Sequence, residues 1–371
     1  MSTFQDQIKE LEDQIKRTKI NKATEKHVGL LKAKIARLKR EQQDRLMGGG
    51  SGGGDGYDVK KSGDSSVALI GLPSVGKSTL LNQLINQKIS QVGSYAFTTL
   101  EAIPGIMSYE GASIQIIDLP GIISGASKGK GQGKRVLGVA RGADLLLIVL
   151  DVFSALHHFE LIINELSYVG IRLNQEAPDV VIKKTNRGGI GIASLKILTK
   201  IDDSTIKSIM NEYRLINANI TIRSDISDDQ LIDVLEGNRV YIPAFIVLNK
   251  IDLVSDLELR EVKEKLNMKN IGISAESGKN IDELKKIIFN YLSLIRIYLK
   301  PYGMEADFEE PLIIRNGADV GDVCDKLHNS FRKEFHYARV WGKSVKHSGQ
   351  KVSIKHKMED GDVLTIVRKT N

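Results

Sequence analysis

A glycine-rich loop between a strand and a helix constrains the fold of this chain more than any other stretch. The apolar run Val67–Ile70 is typical of a short buried strand, and Gly71-Leu-Pro-Ser-Val-Gly-Lys-Ser78 follows it directly. A helical pattern begins at Thr79. This strand–loop–helix order is the setting of a phosphate-binding P-loop, and it argues against a chance glycine-rich turn.

The residue types in this loop suit a nucleotide phosphate. Glycines let successive backbone N–H groups point at one anion, and the N-terminus of the helix adds partial positive charge. Lys77, which we predict to be catalytic, can reach the β- and γ-phosphates, and the Ser78 hydroxyl can bind Mg²⁺. The residues predicted to bind the nucleotide here are Gly71, Pro73, Ser74, Val75, Gly76, Lys77, Ser78 and Thr79.

A second strand pattern supplies an aspartate for the same site. The pattern Ser113–Ile117 ends in Asp118-Leu-Pro-Gly121. An aspartate at the end of a neighbouring strand can hold Mg²⁺ through water, and a glycine leaves its N–H free to approach the γ-phosphate. We therefore predict Ser78 and Asp118 as metal-site residues and Gly121 as catalytic. Alternating strands and helices predict a parallel sheet whose ligand lies at the strand carboxyl ends.

Two stretches are candidates for base recognition, Asn249-Lys-Ile-Asp252 and Thr199-Lys-Ile-Asp202. An aspartate that accepts two hydrogen bonds from guanine penalises adenine, which lacks that donor pair. The copy at 199–202 is at the more ordinary distance from the P-loop, but only the copy at 249–252 is followed by a strand and a Ser-Ala-Glu loop. We interpret 199–202 as a structural coincidence. The predicted guanine-binding residues are Asn249, Lys250, Asp252, Ser274, Ala275 and Glu276.

Composition narrows the class of protein. The longest apolar run, Leu145–Leu150, is too short to span a bilayer, so no membrane association is expected. The single cysteine, Cys324, excludes an internal disulfide and fits a reducing, cytoplasmic location. The net charge of +7 and the pI near 9.1 permit contact with nucleic acid.

The chain of 371 residues is too long for one ordinary core, and its composition changes mark domain boundaries. Glycine is so dense between Gly48 and Gly56 that a flexible linker is expected there. The predicted division is a helical hairpin at 1–46, a linker at 47–62, a P-loop domain at 63–170 and 240–295, an inserted α+β domain at 171–239, and a ubiquitin-like β-grasp module at 296–371.

Within these domains the patterns predict individual elements. Ser227 is expected to cap a helix, and Gly188–Gly191 reads as a tight turn because no helix or lysine follows it. Helices are predicted at 203–215, 227–235, 280–294 and 320–331, and strands of the last module at 311–315, 339–341 and 362–367.

Basic side chains crowd the first and last modules. The hairpin carries lysine and arginine on its polar faces, from Lys16 to Arg40, and the last module carries a basic set between His328 and Lys357. Two interpretations of the hairpin stay open: a solvated helical pair, or an arm that docks on RNA or a partner helix. The histidines of the last module lack metal-ligand spacing.

Taken together, the motifs resemble one family. The P-loop, Tyr95-Ala-Phe-Thr-Thr99, Asp118–Gly121, Asn249–Asp252 and Ser274–Glu276 occur in the order of a translation-factor-class GTPase. The whole chain resembles the developmentally regulated GTP-binding proteins (DRG) of the Obg/HflX group, in archaea or eukaryotes. The resemblance implies an α/β P-loop GTPase domain with an N-terminal helical hairpin, an inserted α+β domain and a C-terminal TGS domain.

The resemblance also implies function. It implies Mg²⁺-dependent hydrolysis of GTP to GDP and phosphate by a ribosome- or RNA-associated switch in translation, together with a DRG-family regulatory protein as partner. It identifies Thr99 as the switch ligand of Mg²⁺ and a catalytic residue, with Thr98 as the alternative, and places Phe97 and Thr98 at the nucleotide. A scaffold that uses its nucleotide mainly structurally is the alternative function.

Two positions depart from the expected pattern. Ile122 stands where a Ras-like site has the glutamine that orients water, so slow turnover without a partner is expected. The resemblance implies K⁺ as a further cofactor, although Ser74 stands where several potassium-using relatives have asparagine. The glycine-rich, basic segment 125–135 then reads either as a switch loop or as a docking segment for a partner or RNA.

Overall fold

The computed structural model describes residues 4–19, 21, 24–46, 62–85, 103–119 and 138–369. They divide into two compact units, one built from 1–56 with 170–241 and the other from 57–169 with 242–371. The described strands are β1 (Ser65–Ile70), β2 (Ile103–Tyr109), β3 (Ala112–Asp118), β4 (Leu145–Asp151), β5 (Ile171–Leu173), β6 (Val180–Lys184), β7 (Ile190–Ser194), β8 (Ala218–Ile222), β9 (Val240–Ile242), β10 (Ala244–Asn249), β11 (Asn270–Gly272), β12 (Leu294–Leu299), β13 (Leu312–Arg315), β14 (Phe335–Trp341), β15 (Gln350–Val352) and β16 (Asp362–Arg368).

Helices alternate with many of these strands. The described helices are α1 (Phe4–Arg17), α2 (Glu25–Leu46), α3 (Lys77–Leu84), α4 (Ala155–Tyr168), α5 (Asp203–Glu212), α6 (Asp228–Glu236), α7 (Asp256–Lys265), α8 (Ile281–Tyr291), α9 (Val320–Leu327) and α10 (Asn329–Lys333), with a 3₁₀ helix at Ile251–Leu253.

A six-stranded sheet of order β11-β10-β4-β1-β3-β2 forms the centre of the second unit. All neighbouring strands are parallel except β2, which pairs antiparallel with β3. Every residue of β1 and β10 is buried, as expected for strands covered on both faces. The parallel arrangement brings the carboxyl ends of β1, β3, β4 and β10 to one edge, and this edge holds the candidate site.

The same unit contains a five-stranded sheet of order β13-β12-β16-β14-β15. β12 is parallel to β16, and the other described pairs are antiparallel. Helix α9 packs on one face of this sheet through Val320, Val323 and Cys324. A mixed sheet with one packed helix is the β-grasp arrangement predicted for the C-terminal module.

Polar contacts join this module to the P-loop domain. Arg296 Nη1 lies 2.5 Å from Glu110 Oε2 at the tip of the β2–β3 hairpin, and Lys326 Nζ lies 2.6 Å from Asp64 Oδ1. Ile313 of β13 belongs to the apolar core around the central sheet. The two modules therefore share buried surface.

The first unit combines the helical hairpin with the inserted segment. Three strands in the order β6-β8-β7 form its larger described sheet, with β6 antiparallel and β7 parallel to β8, and β5 pairs with β9 in a two-stranded sheet. Helices α5 and α6 cover one face, and Ala33 of α2 packs into their apolar cluster. Lys32 pairs with Asp228 at 3.0 Å and with Asp229 at 2.8 Å. The hairpin and the insert thus have a common core.

Several element boundaries differ from the sequence-based predictions. The predicted helix 280–294 ends at Tyr291, because Leu294 begins strand β12. The predicted helix 320–331 is divided into α9 and α10 at His328, whose backbone is extended. The predicted Ser227 cap is confirmed: Ser227 and Gln230 form a capping box at the start of α6.

Across the residues that the structure describes, no helix is both long and apolar enough to cross a membrane.

Candidate functional site

Two glycines shape the loop between β1 and α3. A Cβ at Gly71 would lie 2.4 Å from the Val149 carbonyl oxygen of β4, so only glycine allows this close approach. Gly76 has φ of 92°, and a Cβ there would lie 2.3 Å from Nδ2 of Asn249. The P-loop backbone therefore lies directly against β4 and the end of β10, and α3 starts immediately afterwards at Lys77.

The ammonium of Lys77 lies inside the loop. Its Nζ donates to the carbonyl oxygens of Gly71 at 3.0 Å and Leu72 at 2.9 Å, and the residue is buried. Burial lowers the pKa of Lys77, while the Asp118 carboxylate opposes that shift. A buried cation held by neutral carbonyls is well suited to an anionic phosphate.

Ser78 and Asp118 form a second polar pair. Ser78 Oγ donates to Asp118 Oδ2 at 2.6 Å, which brings the start of α3 to the end of β3. Asp118 Oδ1 is buried and has no hydrogen-bond partner among the residues that the structure describes. A hydroxyl beside an unsatisfied carboxylate oxygen fits Mg²⁺, which prefers hard oxygen ligands and keeps several waters. Ser78 and Asp118 are the described residues that would hold this ion.

Asn249 connects the phosphate loop to a second loop. Its Nδ2 donates to the Val75 carbonyl oxygen at 2.9 Å, and the Ala275 N–H donates to its Oδ1 at 2.9 Å. Both groups of the amide are used, and the side chain is buried. The structure thus brings together the P-loop, the Asn249–Asp252 stretch and the Ser274–Glu276 loop.

The remaining residues of the second loop lie around this link. Ser274 is buried, and its Oγ accepts from the Ser277 N–H at 3.2 Å, which closes the turn after β11. Asp252 and Glu276 are exposed. An exposed carboxylate next to the ordered loop is available to a base that enters from solvent.

Sequence reasoning missed Asp151. Lys250 has φ of 67°, and its Nζ lies 2.6 Å from Asp151 Oδ2. Asp151 ends the apolar run of β4, at the same sheet edge as Asp118 and Asn249. The sequence does contain an indication of this residue, because Asp151 directly follows the apolar run Leu145–Leu150. A carboxylate that ends a buried parallel strand lies at the edge of the sheet where ligands bind.

The competing stretch at 199–202 has a structural role in the other unit. Asp202 Oδ1 accepts from the Thr205 N–H at 2.6 Å and caps helix α5. The N–H and Oγ1 of Thr199 donate to Asp225 at 2.8 and 2.7 Å. These contacts account for the aspartate and the threonine of this copy without a nucleotide.

Several predicted site residues lie outside the described part of the chain. They are Phe97, Thr98, Thr99 and Gly121, together with Ile122 and the segment 125–135.

Comparison with protein families divides the chain into three matched regions. Residues 66–184 match a model described as a 50S ribosome-binding GTPase, and residues 187–294 match the C-terminal region of that domain type. Residues 295–368 match the TGS domain. The fold is thus a P-loop GTPase domain followed by a TGS domain.

Similar proteins span the full chain. A GTP-binding protein of Methanocaldococcus jannaschii is 54% identical over 99% of this chain and 93% of its own length. Developmentally-regulated GTP-binding protein 1 of Xenopus laevis is 48% identical over 98% of both chains. Ribosome-interacting GTPase 1 of Saccharomyces cerevisiae is 46% identical over 100% of both.

Among solved structures, the YchF GTPase of Schizosaccharomyces pombe is 15% identical, with a TM-score of 0.46 over 83% of this chain and 99% of its own. The chain is a GTP-binding protein and belongs to the family of developmentally regulated GTP-binding proteins.

Proposed function

We propose that this protein hydrolyses GTP to GDP and phosphate with Mg²⁺, and that it acts as a ribosome- or RNA-associated switch in translation. The observation that carries the first part is the double hydrogen bond of Asn249. It fixes the loop that would hold the base at a set position relative to the loop that would hold the phosphates. One nucleotide can then engage both loops at once.

The described residues of the phosphate, metal and base loops each have a role in this proposal. The P-loop N–H groups and Lys77 bind the phosphates, and Ser78 and Asp118 hold Mg²⁺, which neutralises charge on the phosphate oxygens. Asp252 accepts the two guanine donors, while Asn249 positions the surrounding backbone. Lys250 has a left-handed backbone conformation, and its side chain pairs with Asp151. This pair would help to fix the direction of the chain that leads to Asp252. The Ser274–Glu276 backbone faces the guanine oxygen.

The proposal extends to residues outside the described part. Thr99 would ligate Mg²⁺, with Thr98 as the alternative, Phe97 would lie near the nucleotide, and the Gly121 N–H would approach the γ-phosphate. The roles of the two threonines and Phe97 come from the family resemblance, and that of Gly121 comes from the Asp118–Gly121 motif. Ile122 cannot orient water by hydrogen bonding, so intrinsic hydrolysis is slow. The resemblance also supports K⁺ as a cofactor, without the asparagine ligand that Ser74 replaces.

Phosphate release from the purified protein tests the enzymatic part. We expect slow GTP hydrolysis that requires Mg²⁺ and is lost in Lys77→Ala, because the ammonium is the buried cation of the phosphate loop. Addition of ribosomes is expected to raise the rate. A fast rate without any partner would contradict the role assigned to Ile122, and ATP hydrolysis equal to that of GTP would contradict the base site.

The ribosomal part of the proposal rests on three observations. A full-length relative in S. cerevisiae is named a ribosome-interacting GTPase, and the matched domain model is described as 50S ribosome-binding. The chain also carries a net charge of +7, which favours contact with RNA. We propose that the TGS domain and the helical hairpin make the RNA contacts. We also propose that a DRG-family regulatory protein is a partner and that the protein is located in the cytoplasm. We also propose the division into a helical hairpin at 1–46, a linker at 47–62, a P-loop domain at 63–170 and 240–295, an inserted α+β domain at 171–239 and a TGS domain at 296–371.

The alternative is a ribosome- or RNA-binding scaffold that keeps its nucleotide without turnover. Ile122 is the observation that favours it, because the position lacks a water-orienting group. Partner-stimulated turnover separates the two functions. Ribosomes that bind the protein but leave its GTP unhydrolysed would favour the scaffold.

A further inference from the structure

The loop that joins β12 to β13 in the TGS domain exposes an unusual set of apolar side chains. Tyr302 is 81% exposed, Met304 65% and Phe308 64%. All three lie within seven consecutive residues, so they form one surface element, here called the β12–β13 loop (residues 300–311). Large apolar side chains concentrated in this way on a soluble domain often mark an interaction site.

Hydrogen bonds hold this loop in a defined conformation. The Lys300 N–H donates to the Leu364 carbonyl at 2.9 Å, and Thr365 Oγ1 donates to the Lys300 carbonyl at 2.6 Å. The Asp307 N–H returns to the Leu299 carbonyl at 3.1 Å. The loop is thus fixed to β12 and β16 at two points. Its exposed side chains sit on a preorganised backbone, which lowers the entropic cost of binding.

Asp307 and Phe308 stabilise the second half of the loop. Asp307 Oδ1 accepts from the N–H groups of Glu309 at 2.9 Å and Glu310 at 3.4 Å. The Phe308 ring lies 5.0 Å from the ring of Tyr298, centroid to centroid. The backbone turn is therefore satisfied internally, and one face of Phe308 remains open to solvent.

The loop is acidic in a basic protein. It carries Glu305, Asp307, Glu309 and Glu310, whereas the chain as a whole has a net charge of +7. Within the described residues, none of the three glutamates forms an ion pair. The one cation of the loop, Lys300, has its Nζ 5.0 Å from the centroid of the Trp341 ring. The exposed apolar side chains thus lie among carboxylates whose charges are not compensated.

We propose that the β12–β13 loop docks a basic protein segment with apolar side chains, such as an amphipathic helix rich in lysine or arginine. Tyr302, Met304 and Phe308 would bury apolar surface against it, and the glutamates would pair with its cations. Four carboxylates repel nucleic acid phosphates, so this surface does not serve RNA. The proposal goes beyond nucleotide hydrolysis and does not depend on it.

The position of the loop separates it from the basic residues of the TGS domain. The loop lies between β12 and β13, at one side of the sheet order β13-β12-β16-β14-β15. Exposed Lys351 and Lys355 lie on and after β15, at the other edge. The domain can therefore hold a basic protein segment with one edge while the other remains available to RNA.

Binding of a defined peptide to the full-length protein tests the proposal. The probe is a fluorescein-labelled helical peptide of leucine and lysine with its leucines on one face, and the control probe has glutamate in place of lysine. We expect the basic peptide alone to bind, with micromolar affinity that weakens as salt rises. One variant combines Tyr302→Ser, Met304→Ser and Phe308→Ser, and a second combines Glu305→Gln, Glu309→Gln and Glu310→Gln. Each should weaken binding at least tenfold.

A matched variant with Lys343→Gln, Lys346→Gln and Lys355→Gln changes the same number of charges elsewhere in the domain and should bind the peptide like the wild type. Thermal unfolding of all variants checks that the domain stays folded, and Asp307 is kept because it holds the turn. The proposal is overturned if the wild type does not bind the basic peptide, or if both loop variants bind it normally. It is equally overturned if the loop variants lose binding to single-stranded oligouridine, or abolish a self-association of the wild type, since RNA or a second copy would then be the occupant.

Discussion

Asn249 is the residue that makes two separate loops into one site. Its amide donates to the Val75 carbonyl and accepts from the Ala275 N–H, so replacing it would leave a buried carbonyl and a buried N–H unpaired. Asp252 lies three residues later and is exposed. In the proposed site, the asparagine therefore holds the two loops together, and the exposed aspartate would recognise the base.

The substitution Asp252→Asn should shift base preference from guanine to xanthine. An amide replaces one acceptor by a donor, which mismatches the guanine amine and matches the xanthine oxygen. We expect at least a tenfold loss of GTP affinity and a gain for xanthosine triphosphate, measured by competition binding.

Asp202→Asn is the matched control, because the same residue type in the second copy caps helix α5 and asparagine caps equally well. Its nucleotide preference should stay that of the wild type. If Asp202→Asn changes the base preference and Asp252→Asn does not, the assignment of base recognition to Asp252 is wrong.

Gly76→Ala should damage both stability and nucleotide binding. The new Cβ would lie 2.3 Å from Asn249 Nδ2 at a φ of 92°, so the substitution adds a clash to backbone strain. Gly361→Ala is the control, since Gly361 has φ of 87° and open space around its Cβ position. We expect a loss of about 1 kcal/mol in the free energy of unfolding for Gly361→Ala and a larger loss for Gly76→Ala.

Nucleotide titration then separates the two glycine variants. Gly76→Ala should bind GTP at least tenfold more weakly, and Gly361→Ala should bind normally. Equal affinity in both variants would show that the contact between Gly76 and Asn249 does not matter for the site.

At this scale, local spacing predicted some contacts and could not predict others. The approach of Ser78 to Asp118 was predicted, because the strand–loop–helix pattern and the Asp118–Gly121 motif are both visible in the sequence. The pairing of Lys250 with Asp151 was missed, because it depends on which strand lies beside β10. Strand order is a long-range property that one local pattern does not contain.

Among the elements, helix α2 is bound to the insert more closely than its amphipathic pattern suggests. Ala33 is fully buried in the cluster with α5 and α6, and a Cβ at Gly29 would lie 3.1 Å from Thr205 Cγ2. Small residues therefore let α2 approach the insert. Burial lowers the pKa of Lys32. Its hydrogen bonds and charge attraction to Asp229 and Asp228 together outweigh that effect, so the pKa is raised overall.

Ala33→Asp should separate these elements. It places a carboxylate in a position that is fully buried, and we expect a loss of about 3 kcal/mol or more in the free energy of unfolding. Thermal unfolding and trypsin cleavage within the insert measure the effect. Lys26→Asp, exposed in the same helix, should change stability by about 0.5 kcal/mol at most. An Ala33→Asp variant as stable as Lys26→Asp would contradict the shared core.

The contact between Arg296 and Asp360 should make the TGS domain sensitive to acid. Hydrogen bonds from Arg296 lower the pKa of Asp360 below its usual value of 3.8. The folded state therefore holds this proton more weakly than the unfolded state. The stabilisation is fully present above pH 3.8 and is lost as pH falls through the lower folded-state value.

Unfolding temperature measured from about pH 5 down to about pH 2.5 checks this expectation against Asp360→Asn. The wild type should lose its advantage over the variant across that range. The pair contributes about 1 kcal/mol or less to the free energy of unfolding, because the side chains of Arg296 and Asp360 are 29% and 42% exposed and solvent screens their charges. A constant difference between the two proteins would show that the pair does not titrate as described.

Element types were largely predictable, and their ends were less so. The helical period continues through Leu292 toward Leu294, but pairing of β12 with β13 and β16 takes the chain from Leu294 into the sheet. Similarly, the pattern 320–331 is helical in period, and the extended backbone at His328 divides it. Tertiary pairing prevailed over local periodicity in the first case.

For the whole molecule, the division into two units was only partly visible in the sequence. The glycine-rich stretch marks a boundary after the hairpin, and the interrupted order of the GTPase motifs requires an insertion. The hairpin shares a core with the insert through contacts between α2 and α5, which are far apart in sequence: Arg37 and Glu212 form an ion pair across 175 residues. Composition and periodicity do not report such contacts.

The chain combines a nucleotide site with modules that would contact a larger assembly. If it is a switch, nucleotide state must change its affinity for that assembly, since a ligand shifts an equilibrium only through differential binding. The direct test is co-sedimentation of the full-length protein with ribosomes at matched salt, with a non-hydrolysable GTP analogue, with GDP and without nucleotide. Lys77→Ala serves as the control that cannot hold the analogue. We predict strong sedimentation with the analogue and weak sedimentation in the other conditions. Equal binding in all three states, or analogue-dependent binding by Lys77→Ala, would contradict a GTP-controlled ribosome switch.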